Sequence, residues 1–189
     1  MSHIERYFER ERDILSCINI EEVARLCDAI QEVTRKGKRV FIAGNGGSAS
    51  TADHFAVDLS IGTYIRVPSA AVSAISLSSN NAAITALSND TSYELVFSKQ
   101  FEVLNPTPGD LVIVISASGD SPNIIGLLET AKERRVLTCA LTGFNGGKAK
   151  NLADISVHVP TELGEYGIVE DLHLAICHAL TESLRRGTN

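Results

Sequence analysis

The chain has 189 residues, 44% of them hydrophobic and 21% charged, with a formal net charge of -6. This is the composition of one globular domain with a sizeable core, and it offers no basic surface of the kind nucleic acids need. The longest uncharged stretch, Val67 to Asn89, is too rich in Ser, Asn and Thr to cross a membrane, so neither nucleic acid nor membrane is an expected partner. Met1 to Arg6 contains no apolar run of the signal-peptide kind. Cys17, Cys27, Cys139 and Cys177 are scattered without a C-x-x-C pair, which predicts small buried thiols in a reducing, cytoplasmic setting. No repeat or linker divides the chain, and 1–189 is read as a single domain.

The elements follow in order. Ile4 to Leu15 is a charged helix with Ile4, Tyr7, Phe8, Ile14 and Leu15 in an apolar stripe. Ile20 to Lys36 is a second helix, with Val23, Leu26, Cys27, Ile30 and Val33 on one face and Gly37 to end it. Residues 1–36 precede any strand, so these helices are expected in oligomer packing, with packing on their own sheet as the alternative. Val40 to Ala43 is an unbroken apolar run, the mark of a strand buried on both faces. A helix from Ser48 to Ser60 follows, then a strand at 71–76. Helical sequence at Asn81 to Leu87 is broken by Asn89 to Ser92, and Tyr93 to Leu104 is helical again. Strands at Asp110 to Ile115, Val136 to Leu141 and Ile155 to Val159 alternate with helices at Pro122 to Arg134, Gly146 to Leu152 and Gly167 to Arg186. Such alternation predicts an α/β fold: three layers, with a five-stranded parallel sheet flanked by helices in the flavodoxin-like order 2-1-3-4-5. Ligands of such sheets sit beyond the carboxyl ends of the strands.

Two turns lie there. Gly44-Asn45-Gly46-Gly47-Ser48-Ala49 fits G-x-G-x-x-A and places free N–H groups at a helix start, a ready anion site. No acidic residue closes the second apolar run, as a dinucleotide fingerprint would want, so no nucleotide cofactor is expected. The second turn, Ser116-Ala117-Ser118-Gly119-Asp120-Ser121, sets three hydroxyls between a strand and a helix, enough to wrap a phosphate without lysine. An ordinary capped turn would explain one of them, or two. Asp120 would repel a phosphate unless it pointed away.

These two turns, Asp53-His54-Phe55-Ala56, and Thr142-Gly143 with Gly146-Gly147 together resemble the SIS (sugar isomerase) domain family, and more narrowly its phosphoheptose isomerase group. The resemblance spans essentially the whole chain. It implies a phosphate held by Ser116, Ala117, Ser118 and Ser121, a sugar near Asn45, Gly46, Gly47 and Ser48, and further substrate contacts from Asn89, Asp90 and Glu170. It also implies one zinc per subunit and a homotetramer with its sites at subunit interfaces. The group has Thr and Asn where this chain has Ala117 and Asp120, Glu where it has Asp58, and Gln where it has Glu170.

An aldose–ketose isomerase moves a proton between neighbouring carbons through an enediol, with a base, an acid and a means to stabilise the oxyanion. His54 and Asp58 are four apart and share a helix face. Glu170 and His178 are eight apart on the final helix, about 80° around its axis. His54, Asp58, Glu170 and His178 form a plausible zinc set. Asp58 would be the base and His178 the acid. Plainer readings stand beside these: His54–Asp58 as a surface pair, Glu170, Asp171 and His173 as a solvated first turn, His178 as a satisfied core histidine, and Tyr166-Gly167 as a turn only. His3 and His158 are read as structural or surface. The expected function is isomerisation of sedoheptulose 7-phosphate to a heptose 7-phosphate. Alternatives are an isomerase for a different sugar phosphate, a scaffold that binds a replication initiator, or a sugar-phosphate sensor.

Overall fold

The computed structural model describes residues 2–186. Helices α1 (His3–Leu15) and α2 (Ile20–Arg35) lead into β1 (Arg39–Gly44) and α3 (Gly47–Val57). A π-helical turn (Asp58–Gly62) and a short α4 (Thr63–Arg66) extend α3 before β2 (Ser73–Ser76). Then come α5 (Asn81–Asp90), α6 (Val96–Val103), β3 (Leu111–Ser116), α7 (Pro122–Glu133), β4 (Leu137–Thr142), α8 (Gly147–Leu152), β5 (Ile155–His158) and α9 (Tyr166–Arg186). The five strands are all parallel in the order β2-β1-β3-β4-β5, as the sequence predicts.

The apolar strands divide two ways because successive side chains alternate faces. Val40, Ile42, Leu111, Ile113, Ile115, Cys139 and Leu141 face α2, α3 and α9. Phe41, Ala43, Val112, Val114 and Ala140 face α6, α7 and α8. Phe41 meets Phe101 of α6 edge to face, with centroids 5.0 Å apart. Each fully buried large side chain contributes about 1.5–3 kcal/mol by leaving water. The central position of β1 and β3 in the sheet fixes their carboxyl ends, where both turns begin.

Local chemistry sets the element ends. Ser2 and Glu5 form a capping box on α1, and Asn19 caps α2. Asp110 is buried beneath β1. Burial alone would raise its pKa, but N–H donors from Thr107 and Arg39 and the Arg39 guanidinium hold it below the usual carboxylate range.

Two expectations, a helix end and one cysteine, need correction, and one stated alternative is met. α2 packs on the chain's own sheet, with Leu26, Cys27, Ile30 and Val33 in the core. α1 instead docks on α9 through polar groups, and Ile4, Phe8 and Leu15 of its stripe stay exposed. The helix expected to end at Ser60 runs on through the π-turn to Arg66. Of the four cysteines, Cys27, Cys139 and Cys177 are buried and Cys17 is exposed.

Candidate active site

A cavity of about 170 Å³ opens at the carboxyl ends of β1 and β3. Asn45, Ser48, Ser116, Ser118 and Ser121 line it, with Ala117 in its floor and Tyr166 and Glu170 on the far wall. Gly46 caps α3 with a φ of 56°, and Gly47 is the first residue of that helix. A Cβ on Gly47 would overlap the Glu170 carboxyl group, so glycine there lets α9 approach the α3 N-terminus. That carboxylate faces the positive end of the α3 dipole.

The serine loop keeps its hydroxyls available. Ser116 Oγ accepts the Gly119 N–H at 3.1 Å, and Ser118 Oγ accepts the Asp120 N–H at 3.3 Å, which leaves both O–H protons free to donate. Ser121 caps α7 through its carbonyl, and its hydroxyl makes no capping bond. Asp120 turns away from the cavity, where its Oδ1 accepts the Lys148 N–H at 3.0 Å. Gly119 adopts a φ of 68°, and a Cβ there would strike the Gly146 carbonyl, so the loop nests against the β4–α8 turn.

Sequence reasoning passes over the groups that fix Asn45. Its Nδ2 donates to Asn123 Oδ1 at 3.0 Å, and its Oδ1 accepts from Asn123 Nδ2 at 2.9 Å and from the Tyr93 hydroxyl at 2.8 Å. Nothing local signals these partners, which lie 78 and 48 positions away. Tyr166 is more than a turn: its ring packs edge to face on Phe144 at 4.9 Å. Asn89 and Asp90 stand outside the cavity lining, exposed at the end of α5, where Asn89 Nδ2 donates to Asp90 Oδ1 at 2.8 Å.

The second cluster joins α3 and α9. His54 Nε2 lies 3.5 Å from Asp58 Oδ2, His178 Nε2 lies 3.7 Å from the same oxygen, and the two Nε2 atoms are 3.5 Å apart. Contacts between nitrogen and carboxylate at these distances are too long for good direct hydrogen bonds. They suit donors around a shared ion, since a tetrahedral centre with bonds of about 2.0–2.1 Å sets its ligands about 3.3–3.4 Å apart. Two imidazoles and a carboxylate are also the donor types such a divalent ion takes. His54, Asp58 and His178 are therefore a candidate metal-binding group. Glu170, the fourth expected ligand, is not part of it and sits in the cavity wall. The side chains are 48%, 22% and 49% exposed respectively, so His178 is not a core histidine.

Two other expectations about α9 change. His173 is no part of a solvated turn: it is fully buried, neither ring nitrogen finds a partner, and burial pushes its pKa down to about 4. Asp171 is taken by α1, accepting from the Tyr7 hydroxyl at 2.5 Å, and the Tyr7 pKa is pushed up to about 12 by burial and by that carboxylate. His158 is half-buried against the Thr142 hydroxyl at 3.1 Å.

The architecture has counterparts in known proteins. The phosphoheptose isomerase of Akkermansia muciniphila is 36% identical over 168 residues, covering 89% of this chain and 85% of the relative. That of Helicobacter pylori is 40% identical over 157 residues, covering 83% and 79%. The solved structure of phosphoheptose isomerase GmhA from Neisseria gonorrhoeae superposes with a TM-score of 0.86 at 28% identity, covering 98% of this chain and 96% of that one. Residues 6–143 match the SIS domain, and the chain belongs to the SIS domain family.

Proposed function

We propose that the protein is a phosphoheptose isomerase, converting sedoheptulose 7-phosphate to a heptose 7-phosphate. The observation that carries this is the joining of two clusters by the same two helices. α3 starts at the cavity with Ser48 and continues to His54 and Asp58, while α9 starts there with Glu170 and continues to His178. A phosphate in the cavity would let the rest of an extended sugar run along these helices toward the histidine–aspartate group.

The serine hydroxyls and the first N–H groups of α7 would bind the phosphate. Asn45, held rigid by Asn123 and Tyr93, would orient the sugar hydroxyls, with Asn89 and Asp90 closing on the substrate. Asp58 would take the proton from the carbon beside the carbonyl, and His178 would give a proton to the carbonyl oxygen, yielding the enediol. Return of that proton from Asp58 to the former carbonyl carbon, with loss of the neighbouring enediol hydroxyl proton back to His178, would complete the aldose. His54, Asp58 and His178 would hold one zinc ion per subunit. When bound, that ion would occupy the imidazole nitrogens and supply Lewis-acid stabilisation of negative charge on the substrate oxygens in place of the His178 proton.

The half-exposed cluster also supports assembly. Val57 and Ile61, either side of Asp58, and Tyr64 and Ile65 beyond are exposed apolar groups, as are Ile4, Phe8 and Leu15 of α1. A homotetramer with its sites at subunit interfaces would cover such surface and shield the cluster from water. Sedimentation should then give four chains per particle. No helix in the described residues is long and apolar enough to cross a membrane, which fits a cytoplasmic enzyme.

The test is proton NMR of sedoheptulose 7-phosphate with the zinc-loaded protein in deuterated buffer. A new aldose signal with deuterium entering the substrate is the expected result. Unchanged substrate after prolonged incubation would overturn the reading.

A further inference from the structure

The geometry points to Arg185 as a positioning residue for Asp58, acting with Thr63 through the π-turn; the inference rests on Asp58 belonging to the metal and proton-transfer group. The turn departs from α-helical geometry at Asp58 itself. The Asp58 carbonyl accepts the Thr63 hydroxyl at 2.7 Å, a bond spanning five residues, the separation of a π-turn. It also accepts Arg185 Nη2 at 3.2 Å, from α9. Arg185 Nε reaches Thr63 Oγ1 at 3.3 Å, and its Nη1 is held by Glu182 at 2.9 Å. Thr63 is fully buried and the Arg185 side chain is only 12% exposed.

The residue gained in the π-turn rotates the remainder of the helix by about 100° relative to a straight one. Gly62 then presents bare backbone to α9. A Cβ there would meet Arg185 Nη2 at 2.8 Å, so the guanidinium occupies the room that glycine leaves. His178 and Arg185 are seven apart on α9, two turns along one face. One helix therefore meets Asp58 twice, with His178 Nε2 3.7 Å from the carboxylate and Arg185 bonded to the carbonyl. With its backbone held, the short aspartate keeps its Oδ2 facing the two imidazoles. Arg185 touches neither ligand atoms nor cavity, so its effect on chemistry passes through the Asp58 backbone.

The test compares wild type, Arg185→Ala, Arg185→Lys and Thr63→Val by titration with Co²⁺ alone, read from its visible absorption, and by kcat and KM on sedoheptulose 7-phosphate. Thr63→Val keeps the buried shape and guards against a fold that fails without Arg185. Arg185→Ala is expected to weaken Co²⁺ binding about 10- to 100-fold and change the visible band, as loss of a support behind the ligands does. It should lower kcat at least tenfold and leave KM within about threefold, with Arg185→Lys restoring part of both. Thr63→Val should show the same changes, smaller. Folded variants with wild-type Co²⁺ affinity and spectrum would overturn the inference. So would a wild type that binds no Co²⁺, or an unfolded Arg185→Ala beside a Thr63→Val that behaves as wild type. A wild type that binds Co²⁺ but leaves the sugar unchanged would overturn the isomerase reading alone, and the Co²⁺ comparison would still decide the role of Arg185.

Discussion

The two halves of the candidate site are built by different means. The cavity is made of turns between buried strands and helix starts, and Ser116, Ala117 and Ser48 in its wall are themselves buried. Strand register and glycine contacts fix those turns, so the cavity is shaped before any ligand arrives. The His54, Asp58 and His178 group consists of side chains projecting from the last turn of α3, the π-turn and the middle of α9, and both histidines are about half exposed. Water screens charges there, and the spacings are those of donors around a shared ion rather than of direct hydrogen bonds. Binding and chemistry are thus separable, one governed by the sheet and the other by the packing of α3 on α9.

That division can be broken by mutation. The largest effect is expected from Asp58→Asn, which removes the proposed base and should lower kcat by about 10²–10⁴-fold. Inorganic phosphate should still bind the cavity within about threefold of wild type by calorimetry; a parallel loss would mean that the halves are one unit. Next comes Ser118→Ala with Ser121→Ala. Hydrogen bonds to a charged ligand are each worth about 1.5–3 kcal/mol, so KM should rise at least tenfold while Co²⁺ binding is untouched. Removal of divalent metal by a chelator should do the reverse, lowering kcat and sparing phosphate affinity.

The smallest effect concerns His173, on α9 between the two halves. Its folded pKa of about 4 lies below its ordinary value of 6.5, so the unfolded state binds the extra proton in between. The stability this depressed pKa contributes is complete above about pH 6.5 and is lost as pH falls toward 4. Full loss amounts to about 3 kcal/mol. Denaturant titrations should show the decline, and His173→Leu should flatten it with little cost at pH 7, because two unpartnered nitrogens leave the core.

Features set by local signals are legible in the sequence, and features set by distant partners are not. Val40 to Ala43 and Leu111 to Ile115 announce buried parallel strands because both sheet faces are covered, and the strand order comes from the crossovers. His54 and Asp58 share a face because helical periodicity is local. The position of Glu170 is not local: it depends on where α9 crosses α3, and the absence of a side chain at Gly47 draws its carboxylate into the cavity wall and away from the histidines. The π-turn is hidden for a similar reason. No residue between Asp58 and Gly62 forbids an α-helix, and the donors that favour the wider turn are Thr63 and a distant arginine. His173 reads as solvated because acids precede it, yet the helix face it occupies is turned to the core.

Among the described residues, no lysine or arginine lines the cavity proposed to hold the phosphate, and the one ionic group in its wall is a carboxylate. A cradle of neutral donors beside a carboxylate, on a chain of net charge -6, exerts no long-range pull on an anion, so encounter gains nothing from charge steering and added salt relieves repulsion rather than slowing it. The same neutrality eases departure, since no ion pair must be broken. Turnover in such a pocket trades residence time for throughput and tolerates shifts in ionic strength that would slow an enzyme relying on cations to gather its substrate.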